Sequence, residues 1–146
     1  MRSEVPMYPE PVDLLRSIKR EPPYSSAVFG TYQFEGRFFE KQVLSTTQDL
    51  GIANVAVLTD EQQYEGATDL HQAGKQYYFD RVHCPGIHHP KFALFLDHDR
   101  GLAMIGSANL TEKGWRKNGE IITLIRYDGE NSLQRGKFVF AQLSQF

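Results

Sequence analysis

Apolar and polar positions sort this chain into a short series of elements. Ser26 to Phe34 (Ser-Ala-Val-Phe-Gly-Thr-Tyr-Gln-Phe) is dense in β-branched and aromatic residues and stops at Gly36, which predicts a first strand. Phe38, Phe39, Val43, Leu44, Thr47 and Leu50 then recur near i, i+4, i+5, i+8 and i+12, the spacing of a helix, and Gly51 supplies its stop. Asn54 to Thr59 is a short apolar run of the kind buried on both faces. Strand, helix and strand of these lengths make a βαβ unit with parallel pairing. The polar stretch Asp60 to Gly74 carries no firm signal beyond crossing to the next strand, predicted over Gln76 to Cys84 and closed by Pro85-Gly86. Lys91 to Asp97 and Leu102 to Ser107 read as a hairpin joined by a loop of about five residues, Asp97 to Gly101. Glu120 to Arg126 is a last strand, and Ser132 to Phe146 a C-terminal helix that can bury Leu133, Phe138, Val139, Ala141 and Leu143.

Five of the seven prolines fall before Ser26, so residues 1–25 are expected to form a proline-rich N-terminal arm, with a short segment between them, Asp13 to Arg20, that could make two helical turns. Residues 26–146 are expected to form one α/β domain, a mixed β-sheet flanked by helices on both faces.

Composition narrows the partners. A chain of 146 residues with 40% hydrophobic content, ten Phe and seven Tyr has enough apolar surface for one core. Sixteen basic against eighteen acidic side chains, net −2, exclude a protein that coats nucleic acid or anionic lipid by bulk charge, so any anion site must be local. The single cysteine, Cys84, cannot form an internal disulfide or a thiolate metal cluster, which fits a reducing compartment. The N-terminal Met-Arg-Ser-Glu-Val-Pro lacks an apolar h-region, and no window approaches the roughly 18 apolar residues of a membrane helix. A cytoplasmic protein without membrane contact is the expectation.

The chemistry concentrates in His88-His89-Pro90-Lys91, Gly106-Ser107-Ala108-Asn109 and Asn118-Gly119-Glu120. In extended chain, residues two apart share a face, so His89 pairs with Lys91 and Ser107 with Asn109, and hairpin neighbours bring the pairs together. An imidazole, an ammonium, a hydroxyl and a carboxamide around one point suit a phosphate: a nucleophile or proton donor with fixed donors for the non-bridging oxygens. Glu120 is a candidate to orient the imidazole and fix its tautomer. The scheme needs no cofactor and no metal, and His71, His83, His88 and His89 do not stand at zinc-ligand spacings.

These residues are where the chain resembles the phospholipase D superfamily, whose signature is His-x-Lys, four residues, Asp, then Gly-Ser-x-x-Asn or Gly-Ser-x-Asn. His89-Pro90-Lys91 and Gly106-Ser107-Ala108-Asn109 match its two halves. Leu110-Thr111-Glu112-Lys113-Gly114-Trp115, Thr31-Tyr32-Gln33-Phe34 and Phe38-Phe39-Glu40 look like the branch found in nucleases and in domains attached to helicases. The resemblance covers about residues 26 to 126 and implies a phospholipase D-like α/β/α sandwich, one lobe with a single motif. In that family two motifs meet across a two-fold axis, one histidine forming a phosphohistidine and the other protonating the leaving group, so one motif implies a homodimer. Glu120, eleven residues after Asn109, stands where bacterial nucleases of the family place the glutamate that orients the histidine. The acidic position departs from the pattern: five residues separate Lys91 from Asp97, and Asp99 is farther still, as a lengthened hairpin loop would produce.

The resulting expectation is a metal-independent phosphodiesterase, a DNA endonuclease with His89, Lys91, Ser107, Asn109 and Glu120 as its catalytic set. Lys113, Arg116 and Lys117 would form a basic rim for the strand, with Trp115 and Tyr32 as stacking platforms. The rivals are a phospholipase or phosphatidyl-transfer enzyme, a non-catalytic DNA-binding module of a restriction, repair or helicase assembly, and one lobe of a longer protein.

Overall fold

Parallel pairing of β1 (Ser26–Thr31) with β2 (Asn54–Asp60) follows from the apolar character of both runs, and β3 (Tyr78–Val82) extends the sheet in the same direction. On the other side of β1, β4 (Lys91–Asp97), β5 (Arg100–Gly106) and β6 (Ile122–Asp128) add as an antiparallel meander, giving the order β3-β2-β1-β4-β5-β6. This is a mixed α/β fold. The structure, a computed structural model, describes residues 10–63 and 70–129; the helix expected over Ser132 to Phe146 lies outside the described residues.

Alternation along the strands divides the sheet into two faces. Ala27, Phe29, Val55, Val57, Ala93, Phe95, Leu102 and Met104 belong to one buried cluster, into which the described helices pack. Leu94 and Ala103 form a second cluster with Val28, Phe92, Leu96, Ile105 and Ile125. Phe29 centres the first, meeting Phe39 at 5.5 Å and 75° and Phe95 at 6.0 Å and 89°. Such edge-on pairs add about 0.5–1.5 kcal/mol each beyond burial.

The connecting helix runs over 36–49, labelled α2 below, and its middle, Phe39–Leu44, is π-helical. The wider turn explains the spacing in the sequence: Phe39, Val43 and Leu44, at i, i+4 and i+5, are all buried, and Glu40 goes inward with them.

Two expectations are corrected. The stretch read as an extended arm is part of the core from Pro11 onward. It forms α1 (Pro11–Ser17) and a 3₁₀ turn (Ile18–Arg20), with Val12, Leu15, Ile18 and Tyr24 buried. Pro11 opens α1, where its missing N–H costs nothing, and two turns too short to persist alone are held by tertiary packing. The hairpin loop is tighter than expected: Asp97 pairs with Arg100, leaving only His98 and Asp99 between the strands. Arg100 then reaches back over the Tyr24 ring at 4.4 Å and donates to the Pro22 and Pro23 carbonyls at 2.9 and 2.6 Å, fastening the N-terminal segment to the sheet.

Candidate active site

The chain steps outward from β1 to β3 and then returns, through 83–90, to β4 on the opposite side of β1. A crevice at the carboxyl end of β1 is the expected ligand position at such a reversal. The two motif halves, His89-Pro90-Lys91 and Gly106-Ser107-Ala108-Asn109, lie at this end of the sheet. Thr31, last in β1, pairs with Lys91, first in β4, while Gly106, last in β5, pairs with Ile122, first in β6. The returning segment is pinned where it crosses β2: the His88 N–H donates to Asp60 Oδ2 at 2.8 Å, and the Gln62 N–H donates to Asp60 Oδ1 at 2.8 Å. Burial of the His88 ring pushes its pKa down, with Asp60 opposing.

His89 is exposed, and Lys91 Nζ lies 3.0 Å from its Nδ1 and 3.3 Å from its Nε2. The Tyr32 ring tilts against the imidazole at 4.2 Å and sits 5.6 Å from Lys91 Nζ. Burial lowers the Lys91 pKa below the ordinary lysine value, and the Glu120 charge acts against that shift.

Ser107 and Asn109 follow the end of β5. A side chain at Gly106 would run into the Ile121 carbonyl oxygen, and this close approach lets Ser107 exchange bonds with the strand opposite. The Ser107 N–H donates to the Ile121 carbonyl at 3.0 Å, and the Ile121 N–H donates to Ser107 Oγ at 3.1 Å. Ser107 Oγ donates in turn to Glu120 Oε2, and Asn118 Nδ2 donates to Glu120 Oε1 at 3.2 Å. The Asn109 carboxamide is oriented by Gln33, whose N–H donates to Asn109 Oδ1 at 3.1 Å and whose Oε1 accepts from Asn109 Nδ2 at 3.3 Å. Thr31 Oγ1 closes this corner, accepting from the Leu110 N–H at 2.9 Å and donating to the Gln33 carbonyl at 2.7 Å.

Several sequence expectations change. Glu120 holds Ser107 and Asn118 rather than the imidazole of its own chain, because the Gly106–Ile121 contact sets it beside Ser107. Trp115 is 5% exposed and packs on Phe29 at 6.1 Å, so it is a core residue and not a stacking platform. Within the basic rim, Arg116 Nε faces Glu10 at 3.9 Å and Lys117 Nζ faces Glu112 at 3.2 Å, while Lys113 makes no ion pair among the described residues. Asp97 and Asp99 stand at the far end of the hairpin; Asp97 is six strand steps from Lys91, about 20 Å. Neither aspartate reaches the site. Gln33, Thr31 and Gly114 also build the site, and all three lie inside the stretches that carry the resemblance. Gly114 packs so closely on the Asn109 carbonyl that an added Cβ would collide with it. Among the described residues, no group of three or more His, Cys, Asp and Glu side chains is placed to hold a metal ion.

Comparisons with known proteins agree with this architecture. The family described as "Cardiolipin synthase, PLD-like domain" matches residues 19–141. NucT from Helicobacter pylori is 18% identical with a TM-score of 0.57, the match covering 92% of this chain and 87% of that one. Nuc from Salmonella typhimurium, a phospholipase D family member, is 17% identical with a TM-score of 0.57, over 90% of this chain and 83% of its own. A mutant of yeast tyrosyl-DNA phosphodiesterase is 15% identical with a TM-score of 0.57, over 82% of this chain; the chain spans only 29% of that larger protein. No curated protein matches. A family match over most of the chain, on a sheet that carries the two motif halves at its one topological reversal, places this protein in the phospholipase D-like family.

Proposed function

We propose that this protein is a metal-independent phosphodiesterase that cleaves DNA as an endonuclease, acting as a homodimer through a phosphohistidine on His89. The observation that carries the reading is the grouping of His89, Lys91, Ser107, Asn109 and Glu120 at one sheet end, with one His-x-Lys motif in the chain. In the first step the His89 nitrogen attacks phosphorus, a P–N bond forms, and the P–O bond to the leaving group breaks. His89 of the partner subunit gives its proton to the leaving oxygen. Water then attacks the phosphohistidine, yields its proton to that same imidazole, and displaces His89. Lys91 and Asn109 donate to the non-bridging oxygens where negative charge collects. Glu120 holds Ser107 in place and opposes the downward shift that burial puts on the Lys91 pKa. DNA is favoured as substrate because one structural neighbour is a tyrosyl-DNA phosphodiesterase. Tyr32, already against His89, is the aromatic surface for an adjacent base. A reducing, cytoplasmic setting suits the lone thiol of Cys84.

Cleavage of labelled single- and double-stranded DNA in excess EDTA tests this, with His89→Ala alongside and protein concentration spanning dimer formation. Activity that resists EDTA, vanishes in the variant and rises with the dimer supports the mechanism; loss to EDTA refutes it. Binding retained by both proteins without turnover would identify a recognition module of a larger restriction, repair or helicase assembly. One observation favours a lipid substrate instead: Ile87 and Ile121, next to the catalytic stretches, are 65% and 79% exposed. No helix among the described residues is long and apolar enough to cross a membrane. Co-sedimentation with anionic vesicles separates the lipid reading from the nucleic-acid one.

A further inference from the structure

Arg37 and Lys41 lie one turn apart on α2, both exposed, and neither makes a hydrogen bond or ion pair among the described residues. Together with His71 and Glu40 they line a concavity. Like charges at i and i+4 repel and weaken a helix, so this pair costs stability that no local partner returns. Glu40 does not cancel them. It is buried, and its carboxylate is engaged by the His71 and Gln72 N–H groups at 3.2 and 2.8 Å and by the Tyr77 hydroxyl at 3.2 Å, which turns its lone pairs inward. Lys41 and Glu40 both belong to the π-helical stretch, a feature frequent at functional positions.

The concavity is tied to the active site through a short, fastened path. Gln33 holds Asn109; Phe34 bridges to Leu110; the Glu35 N–H donates to the Leu110 carbonyl at 3.0 Å, and Glu35 Oε2 accepts from the Glu112 N–H at 2.9 Å. Arg37 comes four residues after Gln33. Four Cα steps of 3.8 Å put it no more than about 15 Å from Gln33, the residue that holds Asn109.

We propose that Arg37 and Lys41, beside His71, form a second anion site that grips backbone phosphates of a nucleic-acid strand whose scissile bond lies at His89. The proposal rests on the nucleic-acid reading above and names where that strand runs. It moves the main phosphate contact from the basic stretch after Asn109, where Arg116 and Lys117 face acidic neighbours, to the exit of β1.

The test is fluorescence anisotropy with a fluorescein-labelled 20-nucleotide single strand, titrated from 50 to 300 mM salt. The proteins are the full chain carrying His89→Ala, to prevent cleavage, with and without Arg37→Ala/Lys41→Ala. Losing two phosphate contacts lowers the slope of log K against log salt by about 1.4 and weakens binding roughly 25-fold at 0.1 M, since 10 raised to 2 × 0.7 is about 25. The loss shrinks when the strand is shortened to a dinucleotide, and Arg37→Lys/Lys41→Arg restores the slope. An unchanged slope overturns the site. So does an equal loss from Lys19→Ala/Arg20→Ala, two exposed cations outside the concavity, which would reduce the effect to general charge. If the chain with Arg37 and Lys41 intact binds no DNA at any salt, the nucleic-acid reading itself fails.

Discussion

Replacing Gly114 by alanine puts one methyl group where the structure leaves no room for it. The added Cβ would meet the Asn109 carbonyl oxygen well inside van der Waals contact, with the Asn109 amide nitrogen at 3.1 Å and its carbonyl carbon at 3.2 Å behind it. The obstacle is backbone, not the flexible end of a side chain, so relief requires the Asn109 segment to withdraw by about 1 Å to ordinary contact distance. Overpacking of this kind costs about 1–3 kcal/mol, which lowers the unfolding midpoint of a chain of this size by about 3–10 °C. The displacement falls on the residue whose carboxamide Gln33 orients toward the site. A misplacement of about 1 Å in a positioned group costs about 100-fold in turnover. Calorimetry measures the first effect, and cleavage of a fluorescent phosphodiester 20 °C below the transition measures the second. Gly119→Ala is the control, since nothing lies within 4 Å of a Cβ there. A Gly114→Ala protein with wild-type melting and turnover would refute the argument that this glycine seats Asn109.

Glu120→Gln keeps an oxygen for the Ser107 hydroxyl and removes the charge that opposes the burial shift on Lys91. The Lys91 pKa then falls further, so the alkaline limb of the kcat/KM profile moves to lower pH; a limb that stays in place or moves up contradicts the pairing. Trp115→Ala empties a buried site against Phe29 and is expected to cost about 3–5 kcal/mol in urea unfolding. Were Trp115 a stacking platform, DNA affinity would drop with stability intact. Asp97→Asn and Asp99→Asn leave turnover unchanged, because both residues sit at the far end of β4 and β5 from Lys91. Losing the Asp97–Arg100 contact, 3.9 Å long, costs no more than about 1 kcal/mol.

The strands, the βαβ unit and the stretches that carry the candidate site were legible from the chain because each depends on local pattern. Apolar runs of five to seven residues give strands whatever lies beside them, and His89 with Lys91 or Ser107 with Asn109 are linked by spacing along one stretch. The two helical turns over Asp13 to Arg20 were legible, but the burial of residues 11–24 in the core was not. Proline density points to an extended arm, and only the sheet face that Val12, Leu15 and Ile18 cover makes a two-turn helix stable. The tight His98-Asp99 turn was obscured for a similar reason, since Arg100 joins β5 through cross-strand pairing and contacts with Pro22, Pro23 and Tyr24. Tertiary structure alone decided which polar groups meet: Glu120 with Ser107 instead of His89, Gln33 with Asn109 across 76 positions of sequence, and the helix carrying Arg37 and Lys41 with His71 around one concavity. Residue identity and spacing determine what a segment can become and what chemistry it can carry. The partners of a side chain are set by register and close approach between distant segments, and those are properties of the packed sheet.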